Sequence, residues 1–121
     1  MACLQTLAEG NVLPDFREAF CIKIRLVVII NTQPDRGSDQ LAAFEKLAPL
    51  VRAEQGCIQY DVHPVVGNSD SFVLIEKWAS KEALDAHDLA PHMLEAAKHN
   101  PTFRAGPATV LLLEPGVLSS H

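Results

Sequence analysis

The middle of the chain leaves little freedom in how it folds. Cys57–Pro64 and Ser71–Ala79 both alternate apolar and polar residues, the two-residue period of a strand with one face buried. Between them Val66–Asp70 is polar and holds Gly67-Asn68, the chemistry of a hairpin turn, and its length predicts a bulged or four- to five-residue connection. In the first strand Ile58, Tyr60 and Val62 share one face, and Gln59, Asp61 and His63 share the other. In the second, Phe72, Leu74, Glu76 and Trp78 oppose Val73, Ile75 and Lys77. Ser80 then supplies a helix cap. The stretch Gly56–Met93 carries the chain's only Tyr and only Trp, and three of its five histidines: His63, His87 and His92. The remaining segments read as the scaffold of a pocket around these groups.

Upstream, Ile22–Asn31 (IKIRLVVIIN) reads as a strand exposed at its start, where Lys23 and Arg25 alternate with apolar neighbours, and buried on both faces at its end. A turn cluster, Thr32–Gly37, follows. Leu41, Phe44, Leu47, Ala48 and Val51 recur at helical spacing behind a Ser38 cap, with Pro49 interrupting the helix and Gly56 at its C-terminal end. Downstream, Pro91 opens a further turn or helix, Asn100-Pro101 stops it, and Thr109–Leu113 is a last apolar strand. Pro14 suits the first turn of a short helix through Phe16 and Phe20.

The order strand, helix, strand, strand, broken helix, strand predicts an α+β ferredoxin-like sandwich: a four-stranded antiparallel sheet with helices on one face. Residues 1–21 form an N-terminal extension, 22–116 the domain and 117–121 a tail. The other face of the sheet, with Val73, Ile75 and half of Leu111–Leu113, is apolar enough to require cover, so a homodimer through that face is expected.

A chain of 121 residues makes one domain with one core. A net charge of −5 without a Lys/Arg cluster argues against nucleic acid as a partner. No apolar run approaches the ~20 residues of a membrane helix. The start MACLQTLAEG lacks a basic region and an apolar core, so it does not read as a secretory signal. Three cysteines without CxxC spacing point to a reducing, cytoplasmic setting, with Cys57 a small buried hydrophobe.

Glu76 stands among apolar neighbours, where a carboxylate either pairs with a cation or holds its proton to a higher pH. His87, on the helix after Ser80, and His92, directly after Pro91, are candidate bases near neutral pH, and either also suits a solvated helix surface. Tyr60, Trp78 and Phe72 are candidate walls of a substrate pocket, Trp78 and Phe72 being equally suited to the core. His63, at the strand end, is a further wall candidate or a surface residue. The five-residue separation of His87 and His92 is not that of two ligands on one helix face, so no metal site is expected. No GxGxxG, Walker loop or nucleophile elbow is present.

Gly56-Cys57 with Tyr60, Phe72-Val73-Leu74 with Glu76 and Trp78, Ser80-Lys81-Glu82-Ala83-Leu84 with His87, and Pro91-His92 together resemble the antibiotic biosynthesis monooxygenase (ABM) domain, in particular its small bacterial quinol monooxygenases. Pro49 and Leu113-Glu114-Pro115-Gly116 extend the resemblance over Ile22–Gly116. It implies a dimeric α+β barrel, with a cavity between each sheet and its helices. It also implies oxidation of a small aromatic or quinol by dioxygen with no cofactor, and with no metal, flavin or haem. His87 or His92 would be the base, Tyr60 and Trp78 would orient the ring, and Glu76 would hold a histidine tautomer. Two rival readings are an isomerase acting on a small hydroxy-keto compound and a non-catalytic small-molecule-binding dimer. Asn31, at the end rather than inside the first strand, disfavours the haem-degrading branch.

Overall fold

The computed structural model describes residues 22–116 and 118; the expected helix near Pro14 lies outside them. β1 (Ile24–Asn31) leads through α1 (Gly37–Arg52) to the hairpin β2 (Cys57–Val65) and β3 (Asn68–Trp78). α2 (Lys81–Asp88), α3 (Pro91–His99) and a 3₁₀ turn (Asn100–Thr102) then precede β4 (Thr109–Leu113). The strands lie in the order β2-β3-β1-β4, all antiparallel, as the ferredoxin-like reading requires.

Alternation decides which face meets the helices. Leu26, Val28 and Ile30 of β1, and Phe72, Leu74, Glu76 and Trp78 of β3, are buried on that face. They meet Phe44, Ala48 and Val51 of α1. Phe44 packs edge-on against Phe72 with ring centroids 5.8 Å apart. Each such side chain contributes roughly 1.5–3 kcal/mol on burial. Ile75, Leu111 and Leu113 stay exposed on the opposite face.

Several local expectations are corrected or narrowed. Ile58 does not share the Tyr60 face: the register jumps between Cys57 and Gln59, and Ile58 bulges into solvent. Of the two hairpin readings the bulged one holds: the turn itself is only Val66-Gly67, closed by Val65 pairing with Asn68, and the irregularity falls after Pro64, which has no N–H to give the ladder. Ser38 lies inside α1, whose N-cap is Arg36. There Asp70 substitutes for a cap, its Oδ1 accepting from the Gly37 N–H at 2.9 Å. Pro49 sits in the last turn, and α1 continues past it to Arg52.

Gly56 ends no helix; Ala53 is the C-cap of α1. Gly56 has φ +87°, and a Cβ there would lie 2.5 Å from Cβ of Ala83. Its carbonyl accepts from the Ala79 N–H at 2.8 Å. The α1–β2 turn thus presses directly on the start of α2, whose Ser80 hydroxyl caps the Ala83 N–H as expected. That contact positions the site.

Candidate active site

A cavity of about 620 Å³ lies between the sheet and the helices. Leu26, Val28, Ile30 and Leu74 supply an apolar floor, and Leu84, Met93 and Ala96 a matching roof. Tyr60, Glu76, His87 and Arg104 bring polar groups into it, while Lys81, Asp85 and Asp88 stand on its α2 side. Val110 and Leu112 of β4 border it and remain exposed.

Each polar group is fixed by its element. Tyr60 and Glu76 are register partners on β2 and β3, so both point at the helices. Burial pushes the Tyr60 hydroxyl well above the usual phenol range, with Glu76 acting in the same direction, so Tyr60 is a neutral donor. Burial also raises Glu76 above the ordinary carboxylate range, opposed by the indole Nε1–H of Trp78, which donates to Glu76 Oε1 at 2.9 Å. Arg104 follows the 3₁₀ turn, tied to Thr32 by a backbone bridge, and its Nε donates to Gln40 Oε1 at 2.8 Å. Among the described residues no carboxylate lies within ion-pair distance of this guanidinium.

His87 is 4 % exposed and lies against Trp78, ring centroids 4.5 Å apart and tilted by 36°. Tyr60 is its other aromatic neighbour, at 6.3 Å. The partner of His87 is Glu54, whose carboxylate oxygens sit 2.9 and 3.1 Å from Nδ1. His92 Nε2 reaches the same carboxylate, 2.5 Å from Oε2.

The expected residues therefore separate. Tyr60, Glu76 and His87 converge on the cavity. Trp78 is fully buried behind it, backing His87 and Glu76 rather than forming a wall. Phe72 belongs to the core against Phe44. His63 is exposed on the sheet's other face, because its parity in β2 matches Gln59 and Asp61 and not Tyr60. His92 borders a separate groove of about 540 Å³ between α1 and α3. Glu54, Arg104 and Gln40 were not singled out in the sequence. Glu54 sits in an irregular turn and Arg104 in a loop, so neither carries a periodic signal, but a Gln on the buried stripe of α1 was visible. Among the described residues no cluster of three or more His, Cys, Asp or Glu is placed to hold a metal ion. None of the described helices is long and apolar enough to cross a membrane.

The fold and cavity define a small α+β domain with an internal cavity lined in part by ionisable side chains. Comparison with known proteins makes the class specific: residues 23–99 match the family described as antibiotic biosynthesis monooxygenase, and the chain belongs to it. The candidate monooxygenase YcnE of Bacillus subtilis (strain 168) is 33% identical over 69 residues, covering 57% of this chain and 73% of that protein. The candidate quinol monooxygenase YgiN of Escherichia coli (strain K12) is 36% identical over 80 residues, covering 58% and 77%. The solved structure of Rv0793 from Mycobacterium tuberculosis superposes with a TM-score of 0.73 at 27% identity, covering 82% of this chain and all (100%) of that one.

Proposed function

We propose that this protein is a cofactor-independent monooxygenase that oxidises a small aromatic or quinol with dioxygen. The observation that carries the reading is the convergence of Tyr60, Glu76, His87 and Arg104 on one cavity with an apolar floor and roof. An electron-rich phenol, once deprotonated, passes an electron to dioxygen, so the protein's task is to take the proton, exclude water and stabilise negative charge. His87 takes the hydroxyl proton. Arg104 and the neutral Tyr60 hydroxyl face the developing oxyanion. Glu76, held by Trp78, returns a proton as the oxygen–oxygen bond breaks. The balance closes: hydroquinone plus dioxygen gives hydroxyquinone plus water, all electrons coming from the substrate. Family membership and the likeness to YgiN support this substrate class.

Isotope labelling tests the reading. With ¹⁸O₂, mass spectrometry of the product should show one labelled oxygen in the ring. A product of unchanged elemental composition would replace oxidation with isomerisation, and binding without turnover would leave a non-catalytic pocket.

The same proposal includes a homodimer closed through the open sheet face. Ile75, Leu111 and Leu113 are exposed there at 39%, 47% and 48%, and an apolar face of this kind is satisfied by a second copy of itself.

A further inference from the structure

The histidine pair around Glu54 does more than the proposed oxidation asks of a base. Glu54 Oε2 is shared: His87 Nδ1 approaches it at 2.9 Å from the cavity side, and His92 Nε2 at 2.5 Å from the outer groove. Side-chain exposure rises outward along this path, from 5% at His87 through 13% at Glu54 to 21% at His92. The arrangement is built by the fold. The Gly56 contact with Ala83 brings the Glu54 turn against α2, and Pro91, at the first turn of α3, places His92 over it.

We infer that Glu54 is a positioning residue that makes His87 a base toward the cavity, and that His92 holds the same carboxylate from the outer groove. A carboxylate accepts only, so His87 must carry its proton on Nδ1, which leaves Nε2 bare. Among the described residues Nε2 has no hydrogen-bond partner. When Nε2 takes a proton, the imidazolium is balanced by Glu54 and lies against the Trp78 ring. His92 Nε2 meets the same oxygen and holds the carboxylate from its other side. The other ionisable groups that line the cavity with His87 are Tyr60 on β2, Glu76 on β3, Lys81, Asp85 and Asp88 on its own helix, and Arg104. Glu95 and His99 face the outer groove beside His92.

This inference deepens the proposed role of His87, and its test needs no substrate, so failure of the oxidation reading leaves it decidable. Ring-nitrogen NMR of the wild type at neutral pH should show His87 protonated at Nδ1 with Nε2 bare. Glu54→Ala removes the acceptor and should release the ring to a mixture of tautomers, and His92→Ala should loosen the carboxylate and lower the Nδ1-protonated fraction. The second variant sits on a partly exposed helix position that tolerates Ala, and it decides the matter even if Glu54→Ala does not fold. A wild-type His87 protonated at Nε2 would overturn the positioning role. A His87 tautomer unchanged in His92→Ala would overturn the part given to His92.

Discussion

Glu76 shows how a single buried carboxyl ties stability to pH. Burial raises its folded-state pKa above the ordinary value of 4.5, so over that interval the native chain holds a proton that the unfolded chain has released. The stability owed to the neutral acid is fully present below the ordinary value and is lost as pH rises through the raised one. Glu76→Gln keeps an oxygen for the Trp78 indole and never ionises. Its melting temperature relative to wild type should therefore climb as pH rises above the ordinary value of 4.5, and parallel curves would show that no such ionisation occurs. His87→Ala removes the base while the apolar walls remain. The expected loss in kcat is about 10²–10⁴-fold with KM little changed; a variant as fast as wild type would remove His87 from the chemistry. Of these residues, Glu76 and His87 were legible in the sequence, because each stands out against a periodic pattern. Glu54 was not. Its contact with His87 arises from a tertiary approach of two segments that no local pattern records, while Glu76 accepts from Trp78 instead.

Between elements, the decisive contact is the α1–β2 turn against α2. Gly56 is needed there twice, for its positive φ and for its closeness to Ala83. Gly56→Ala should cost about 1–3 kcal/mol from backbone strain alone, read as a lower urea midpoint, with further loss from the collision with Ala83. An unchanged midpoint would mean that the turn is free to rearrange. The sequence marked Gly56 as a helix end, which placed the residue correctly but missed its purpose. The hairpin strands were legible from their alternation, and that alternation failed only where the backbone itself departs from regular pairing, at the Ile58 bulge and after Pro64. Of the two readings of His63, the surface one fits: its strand parity sets it opposite Tyr60, and being near a pocket in sequence does not bring a side chain through a sheet.

For the molecule as a whole, the order of elements decided the topology, and the antiparallel β2-β3-β1-β4 sheet follows from it. One face of that sheet carries the cavity and the other presents Ile75, Leu111 and Leu113 to solvent. Light scattering should give twice the 13.2 kDa chain mass, and Ile75→Asp with Leu111→Asp should return it to a single chain. A wild-type mass of 13.2 kDa would contradict the dimer. If the cavity lets a substrate react with dioxygen without a helper group, oxygen uptake reads it. Purified, metal-stripped protein is mixed with a panel of hydroquinones and phenols in an oxygen electrode, with His87→Ala alongside. The expected result is uptake well above the non-enzymatic rate with at least one hydroquinone, unaltered by chelator and lost in the variant. Uptake that appears only when a metal, flavin or haem is restored, or that persists undiminished in His87→Ala, would contradict the account.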